Sequence, residues 1–338
     1  MAKGENELAI ILAAFDEPLL IVRRGILLQA NRAAQALFGR GIENVDVRLA
    51  IRSPKALSYI LAGKAGDLEV SGIGGFGRPW LLSIREFDDG RLLVRLVDRS
   101  AAAAAEKMRV DFVANASHEL RTPLAAILGY AETLADDENL DQETRLKFGQ
   151  TIRGEARRML RIIEDLMGLS RIEADRFVAP TESVAMEQIV ASAVEQLRPA
   201  AASAGTEILI EQPDEVPAIL GDRAQLTQMV DNLLNNAVRY GTNPSGVPIR
   251  VTIGQSDGSV RLAVEDSGQG IPQQHLPRLT ERFYRVDAAR SRDSGGTGLG
   301  LAIVKHIVER HRGTMEIRSK VGEGTSVVVT LPISRPIS

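Results

Sequence analysis

The sequence predicts a multidomain protein of three parts. These are an α+β module over residues 1–98, an antiparallel helical hairpin over 99–176 and an α/β sandwich over 177–338. Three observations carry this division. In the first hundred residues, short apolar runs broken by glycine-containing turns alternate with brief helical stretches. Five consecutive alanines from Ala101 then open two long stretches of helical character, split by the polar Asp136-Asp137-Glu138-Asn139. From about Val184 onward, helix-like and β-rich runs alternate to the end of the chain.

Taken in order, a short helix over residues 6–15 leads into Leu19-Leu20-Ile21-Val22, a turn at Arg23-Arg24-Gly25 and a second strand over 26–29. Asn31 has the side chain to cap a short helix that stops at Gly39. Strands over 80–87 and 91–97 flank Asp88-Asp89-Gly90, a three-residue hairpin connection. The first long helix runs through Met108, Phe112 and His118 to about Ala135, and the second covers 142–174. In the second, Ile152, Met159, Ile162, Ile163, Leu166 and Leu169 form an apolar stripe. A lone hairpin buries only part of such a surface, so pairing of two copies into a dimeric four-helix bundle is expected. The last part places helices near 185–204, 223–240 and 299–311 against strands near 206–211, 249–253, 260–265, 315–318 and 325–331. Helices on one face of a mixed sheet are the expected outcome.

Composition narrows the chemistry. The chain has no cysteine, which excludes disulfides, thiolate metal sites and cysteine nucleophiles. A net charge of −3 gives no field that calls for nucleic acid. No apolar run reaches membrane-spanning length; the best, Leu8 through Phe15, is cut off by Asp16, Glu17 and Pro18. With no signal peptide at the start, the expected location is the cytoplasm, and the cytoplasmic portion of a membrane-anchored protein would read the same.

The string His118-Glu119-Leu120-Arg121-Thr122-Pro123-Leu124 lies within the first hairpin helix. Glu119 could hold one ring nitrogen of His118, leaving the other nucleophilic. Thr122 is one turn on, on the same face. Pro123 cannot donate to the Glu119 carbonyl, which loosens the helix beside the ring. A surface histidine next to a proline kink is the plain alternative. The seven residues, preceded by Phe112-Val113-Ala114-Asn115-Ala116-Ser117, resemble the H-box of histidine kinases letter for letter.

Four further segments follow. Asn232 and Asn236 share one helical face, with Arg239 and Tyr240 a turn later. Asp266-Ser267-Gly268-Gln269-Gly270-Ile271 ends a strand, Glu281-Arg282-Phe283-Tyr284-Arg285-Val286-Asp287 follows, and Gly295-Gly296-Thr297-Gly298-Leu299-Gly300-Leu301 opens a helix. Glycine turns bring backbone amides close to phosphates, and a helix start favours anions. Each segment alone reads as a turn or a solvated face. In this order they resemble the N, G1, F and G2 boxes of the ATPase domain shared by histidine kinases, gyrase, mismatch-repair ATPases and one heat-shock chaperone.

That resemblance covers about residues 101–333 and implies an ATP site. Asn236 would bind Mg²⁺ with Asn232 in support, Arg239 would reach phosphate, Tyr240 would line the pocket and Asp266 would hold adenine. Gly268, Gly270, Gly296, Thr297, Gly298, Leu299 and Gly300 would form the glycine loops. A mobile lid over about 284–297 would offer Arg285, Arg290 and Arg292 to phosphate. Thr280 stands where the F box usually begins with phenylalanine, which puts the lid anchor in question. His275, His306 and His311 read as surface or helix-end histidines.

The implied activity is autophosphorylation of His118 from Mg·ATP, with Glu119 as base or orienter and transfer to an aspartate of a separate response regulator. Thr122 stands where the family holds a water that hydrolyses the regulator's aspartyl phosphate. A homodimer is implied, with no nucleic-acid or membrane partner in this chain. A non-catalytic ATP-binding scaffold and a gyrase-type or mismatch-repair-type ATPase compete with this reading; the intact His118, Glu119, Asn236 and glycine boxes argue against the first, and the second has no reason for the H-box hairpin. Residues 1–98 resemble a PAS domain by pattern, from the strand and helix around Asn31 to the exit at Val97-Asp98-Arg99-Ser100. No histidine precedes position 118 and the chain has no cysteine, so histidine-ligated haem, cysteinyl-flavin and thiol-attached bilin are unsupported, and a cofactor-free module is expected, with Phe76 and Trp80 packed rather than stacked on a ligand. The whole arrangement resembles the phosphate-regulon sensor branch.

Overall fold

The computed structural model describes residues 8, 10–74, 77–87, 90–137, 139–175, 178–213, 215–241, 246–286 and 296–333, with the backbone alone at 109. They form two compact units, residues 1–113 and 114–338.

The first unit is built on an antiparallel sheet of six strands: β1 (Leu19–Arg23), β2 (Ile26–Ala30), β3 (Val45–Asp46), β4 (Gly66–Ser71), β5 (Pro79–Phe87) and β6 (Arg91–Asp98). Their spatial order is β3-β2-β1-β6-β5-β4. Arg24 and Gly25 both have positive φ, which suits the two-residue turn joining β1 to β2. Helices α1 (Arg32–Phe38) and α2 (Pro54–Leu61) contribute Ala34, Ala56 and Ile60 to a core with Leu20, Val22, Leu82, Ile84, Val94 and Leu96. On the opposite sheet face Leu19 and Ile21 pack with Leu12. β1 is therefore buried on both faces, which explains its unbroken apolar run.

Asn31 ties this unit together. Its Oδ1 accepts from Leu19 and Ala34 N–H at 3.0 Å each, and its Nδ2 donates to the carbonyls of Leu12, Phe15 and Glu17. The capping role read from sequence is present, and the same side chain also fixes the segment before β1. Trp80 packs in the core with Nε1 donating to the Ile73 carbonyl at 2.8 Å; Phe76 lies outside the described residues.

In the second unit, α3 (Ser100–Asp136) and α4 (Gln142–Ala174) form the expected hairpin. Pro123 lies inside α3 without ending it. Asp141 caps α4 through the Thr144 N–H at 2.8 Å. The buried residues of α4 are Arg158, Ile162, Leu169 and Ile172, while Leu124, Leu128, Leu160, Ile163 and Met167 stay exposed.

The sandwich adds β7 (Glu182–Val184), α5 (Met186–Ser203), β8 (Ile208–Glu211), β9 (Ile219–Gly221), α6 (Arg223–Tyr240), β10 (Ile249–Ser256), β11 (Ser259–Asp266), α7 (Gly300–Arg310), β12 (Thr314–Lys320) and β13 (Gly324–Pro332). Its main sheet runs β12-β13-β11-β10-β8; only the β8–β10 pairing is parallel, so the sheet is mixed as expected. Alternate residues Ile249, Val251 and Ile253 of β10 are buried, as are Leu226, Leu233, Leu234, Ile303 and Ile307 of the helices. His311 ends α7 as predicted but is not at the surface. It is 5% exposed, its Nε2 accepts from the Asp222 N–H at 3.0 Å, and its Nδ1 faces the Ile307 carbonyl at 2.7 Å. Burial pushes its pKa down, which keeps the ring neutral and able to accept.

Candidate functional site

Asp266, at the end of β11, accepts through one oxygen from the Gly268 N–H at 2.9 Å and the Thr325 N–H at 3.3 Å. Among the described residues nothing bonds its other oxygen. Burial pushes its carboxyl up, and the two N–H bonds pull it partly back. The loop after it lies against the end of α6. A Cβ on Gly268 would strike the Tyr240 carbonyl and come within 2.8 Å of Gly241 Cα, so only glycine permits this approach.

Further back along α6, Asn232 and Asn236 both face the start of α7. A Cβ on Gly300 would lie 3.4 Å from Asn232 Oδ1 and 3.8 Å from Asn236 Nδ2. Asn232 Nδ2 is buried with no hydrogen-bond partner among the described residues. Tyr240 and Arg239 meet the same loop one glycine group earlier, at 2.5 and 3.3 Å from the Cβ position of Gly296. Gly298 has φ +72 and accepts through its carbonyl from the Phe283 N–H at 2.9 Å, joining the G2 segment to the F segment. Leu299 is fully buried, and its N–H donates to Thr297 Oγ1 at 3.3 Å. Gly270, also at positive φ, packs on the Lys320 carbonyl, so the Asp266 loop is braced by β12. Asn232, Asn236, Arg239 and Tyr240 of α6 thus meet Gly296 and Gly300, and the end of α6 meets Asp266 and Gly268, while Gly270 rests on β12 and Gly298 on Phe283. Arg290 and Arg292 lie outside the described residues.

His118 is exposed on α3, and Thr122 Oγ1 donates to its backbone carbonyl at 3.3 Å. Glu119 departs from the expected ring contact. Its carboxylate is held by Arg158 of α4 at 3.0 Å, with Arg285 at 3.9 Å. Consecutive helical residues point in different directions, so Glu119 faces the second helix rather than its neighbour's imidazole. Arg285, expected at phosphate, stands instead beside the nucleophile segment. The preceding Tyr284 is clamped, its hydroxyl 2.6 Å from His275 Nδ1 and its ring 4.2 Å under the Arg278 guanidinium. His275 is therefore a partner of the F segment and not an idle surface histidine.

Sequence reasoning missed a set of contacts between α4 and the sandwich. Thr297 Oγ1 donates to Asp165 at 2.7 Å, Arg282 pairs with Glu173, and Arg310 Nε donates to the Asp175 carbonyl at 3.3 Å. Burial raises the Asp165 carboxyl, opposed by the Thr297 bond and by Arg161 and Arg239. A signal was available. Arg158, Ile162, Asp165, Leu169 and Ile172 follow a four-three spacing, so two charged residues sit on an otherwise apolar stripe.

Comparison with known proteins bears on these segments directly. The His Kinase A (phospho-acceptor) domain family matches residues 108–175, and the histidine kinase-, DNA gyrase B- and HSP90-like ATPase family matches 221–335. The sensor-like histidine kinase SenX3 of Mycolicibacterium smegmatis is 36% identical over 317 residues, 93% of this chain and 77% of that protein. The chain belongs to the sensor histidine kinase family. Members are protein-histidine kinases of two-component signalling, and the ATPase segments above belong to that activity. The kinase is also similar to the phosphate regulon sensor protein PhoR of Pseudomonas aeruginosa, at 43% identity over 237 residues. That match covers 70% of this chain and about half of PhoR, 52%. The structure of histidine kinase ThkA in complex with response regulator protein TrrA shares the fold of the kinase across 96% of this chain and 98% of that one, with TM-score 0.53 and 17% identity. No helix among the described residues is long and apolar enough to cross a membrane.

Proposed function

We propose that the chain phosphorylates its own His118 from ATP and passes the phosphoryl group to an aspartate of a separate response regulator. The observation that carries this reading is the approach of Arg285, next to the nucleotide loops, to Glu119, next to His118, at 3.9 Å. The nucleophile and the phosphate loops are two halves of one reaction, and this contact links them. In the transfer step a ring nitrogen of His118 forms a bond to the γ-phosphorus as the bond to the ADP oxygen breaks. The ring proton passes to Glu119, which must first exchange Arg158 for the imidazole.

The donor set suits Mg²⁺. Asn236 would offer an amide oxygen with Asn232 in support, both side chains facing the start of α7, and no cluster of three or more histidines or carboxylates among the described residues offers an all-protein cage. Mg²⁺ held there would offset negative charge on the phosphates. Asp266 takes the adenine amine through its unbonded oxygen, with Tyr240 lining the pocket.

The chain is read as three parts divided at residues 98 and 176. The six-stranded module is read as a cofactor-free PAS-like domain. The exposed apolar residues of the hairpin support a homodimeric four-helix bundle. Thr122 adds a phosphatase activity toward the regulator. The kinase is assigned to the cytoplasm, alone or as part of a membrane-anchored protein, and the likeness to PhoR supports a place near the phosphate-regulon sensors. Mixing the ³²P-labelled chain with purified response regulators tests this reading. Rapid loss of label from the kinase with its appearance on one regulator is expected. Retention of label against every regulator of the source organism would contradict it.

A further inference from the structure

Along α6 the components of the nucleotide site are laid out in order. Gly241, just past its C-terminus, meets Asp266, and Asn236 and Asn232, further back, face Gly300. Gln228, another turn back, lies against α4, with its Nε2 2.8 Å from the Cβ position of Gly168. At about 1.5 Å per residue, Gly241 and Gln228 are roughly 20 Å apart along the axis. The adenine end therefore lies at one end of α6, and the hairpin bounds the other. The asparagines, the expected metal and phosphate end of the site, thus lie between the Asp266 contact and the α4 contact.

The residue of α4 that meets the phosphate loop there is Asp165. Its carboxylate accepts from the Thr297 hydroxyl at 2.7 Å; burial raises the carboxyl and Glu164 adds to that, while the Thr297 bond and the charges of Arg161 and Arg239 oppose it. A hydroxyl and a guanidinium are the donors a phosphoryl oxygen would take. We propose that Asp165 discriminates between ATP and ADP by placing a carboxylate where the terminal phosphate would lie. With α4 docked, ADP fits and ATP meets like charge. ATP loading then requires the G2 loop to part from α4, which frees the sandwich to carry the nucleotide to His118. This inference rests on the nucleotide-site reading above and adds the residue that sets its preference.

The test compares the unsubstituted full chain with Asp165→Asn and Asp165→Ala. Asparagine keeps an acceptor for Thr297 but removes the charge. Equilibrium binding of Mg·ADP and of the non-hydrolysable ATP analogue AMPPNP is measured for each, with thermal melting to verify folding. Both variants are expected to gain affinity for AMPPNP on the order of tenfold, with ADP shifted less than about twofold. An unchanged AMPPNP-to-ADP ratio in both variants would overturn the proposal. So would a shift in the alanine variant alone, which would assign Asp165 to holding Thr297. If the unsubstituted chain binds neither nucleotide, the site reading itself fails and this inference with it.

Discussion

Replacing Asp266 with asparagine separates its binding role from its structural one. The two N–H groups of Gly268 and Thr325 both point at one Asp266 oxygen, so the asparagine Oδ1 must take that position. A flipped amide would aim its NH₂ at two N–H donors. The Nδ2 therefore replaces the unbonded oxygen and faces the adenine amine, donor against donor. Loss of a hydrogen bond to a charged acceptor costs about 1.5–3 kcal/mol, and an unsatisfied buried donor adds roughly 1–3 kcal/mol. The sum of about 2.5–6 kcal/mol weakens ATP binding by roughly fifty- to ten-thousandfold. Stability should move the other way. Burial raises the Asp266 pKa above its ordinary 3.8, so the folded state holds the proton more tightly than the unfolded one. The resulting cost is absent below that ordinary value, grows as pH rises toward the folded pKa, and is fully present above it. The neutral amide avoids it, so the melting temperature at pH 7 should be unchanged or higher. Calorimetric ATP titration with thermal melting reads both quantities. Unchanged affinity, or affinity lost together with the fold, would refute the reasoning.

Asn236→Ala is expected to abolish Mg²⁺-dependent nucleotide binding; a titration showing unchanged Mg·ATP affinity would place the metal elsewhere. Thr122→Ala should leave labelling of His118 near normal while slowing dephosphorylation of the regulator by about a hundredfold. Its hydroxyl makes only a 3.3 Å bond to the His118 carbonyl, so little structure is at stake, and equal effects on both activities would assign it to structure alone. His118→Ala should keep nucleotide affinity, since His118 touches none of the nucleotide segments among the described residues; a loss like that of a pocket variant would undo the separation of roles. The NMR titration of His311 should have its midpoint below the ordinary 6.5, because the buried ring must stay neutral to accept from Asp222. A midpoint at or above that value would contradict the burial argument.

Much of this was legible in the sequence because it is encoded locally. Helix α4 and helix α6 were predicted at their observed limits, and for α4 a polar break and an apolar stripe mark the span. The glycine segments were found because phosphate binding needs glycine at fixed intervals. α2 was missed although Ser53-Pro54 carries a helix-start signal, and β3, β7 and β9 are too short to show a period. The contacts of Arg158, Asp165 and Glu173 were not legible as contacts. Their partners lie 39, 132 and 109 residues away, and a charged residue on a helix reads as solvated until its neighbour is known. The same distance hid the pairing of Glu119 with Arg158, which sequence adjacency had assigned to His118.

Incubation of the purified full chain and its His118→Gln variant with [γ-³²P]ATP and Mg²⁺ tests the central claim most directly. The account predicts label on the unsubstituted protein that is lost in acid and kept in alkali, as a phosphoramidate behaves, and none on the variant. Acid-stable label, or equal labelling of the variant, would contradict it.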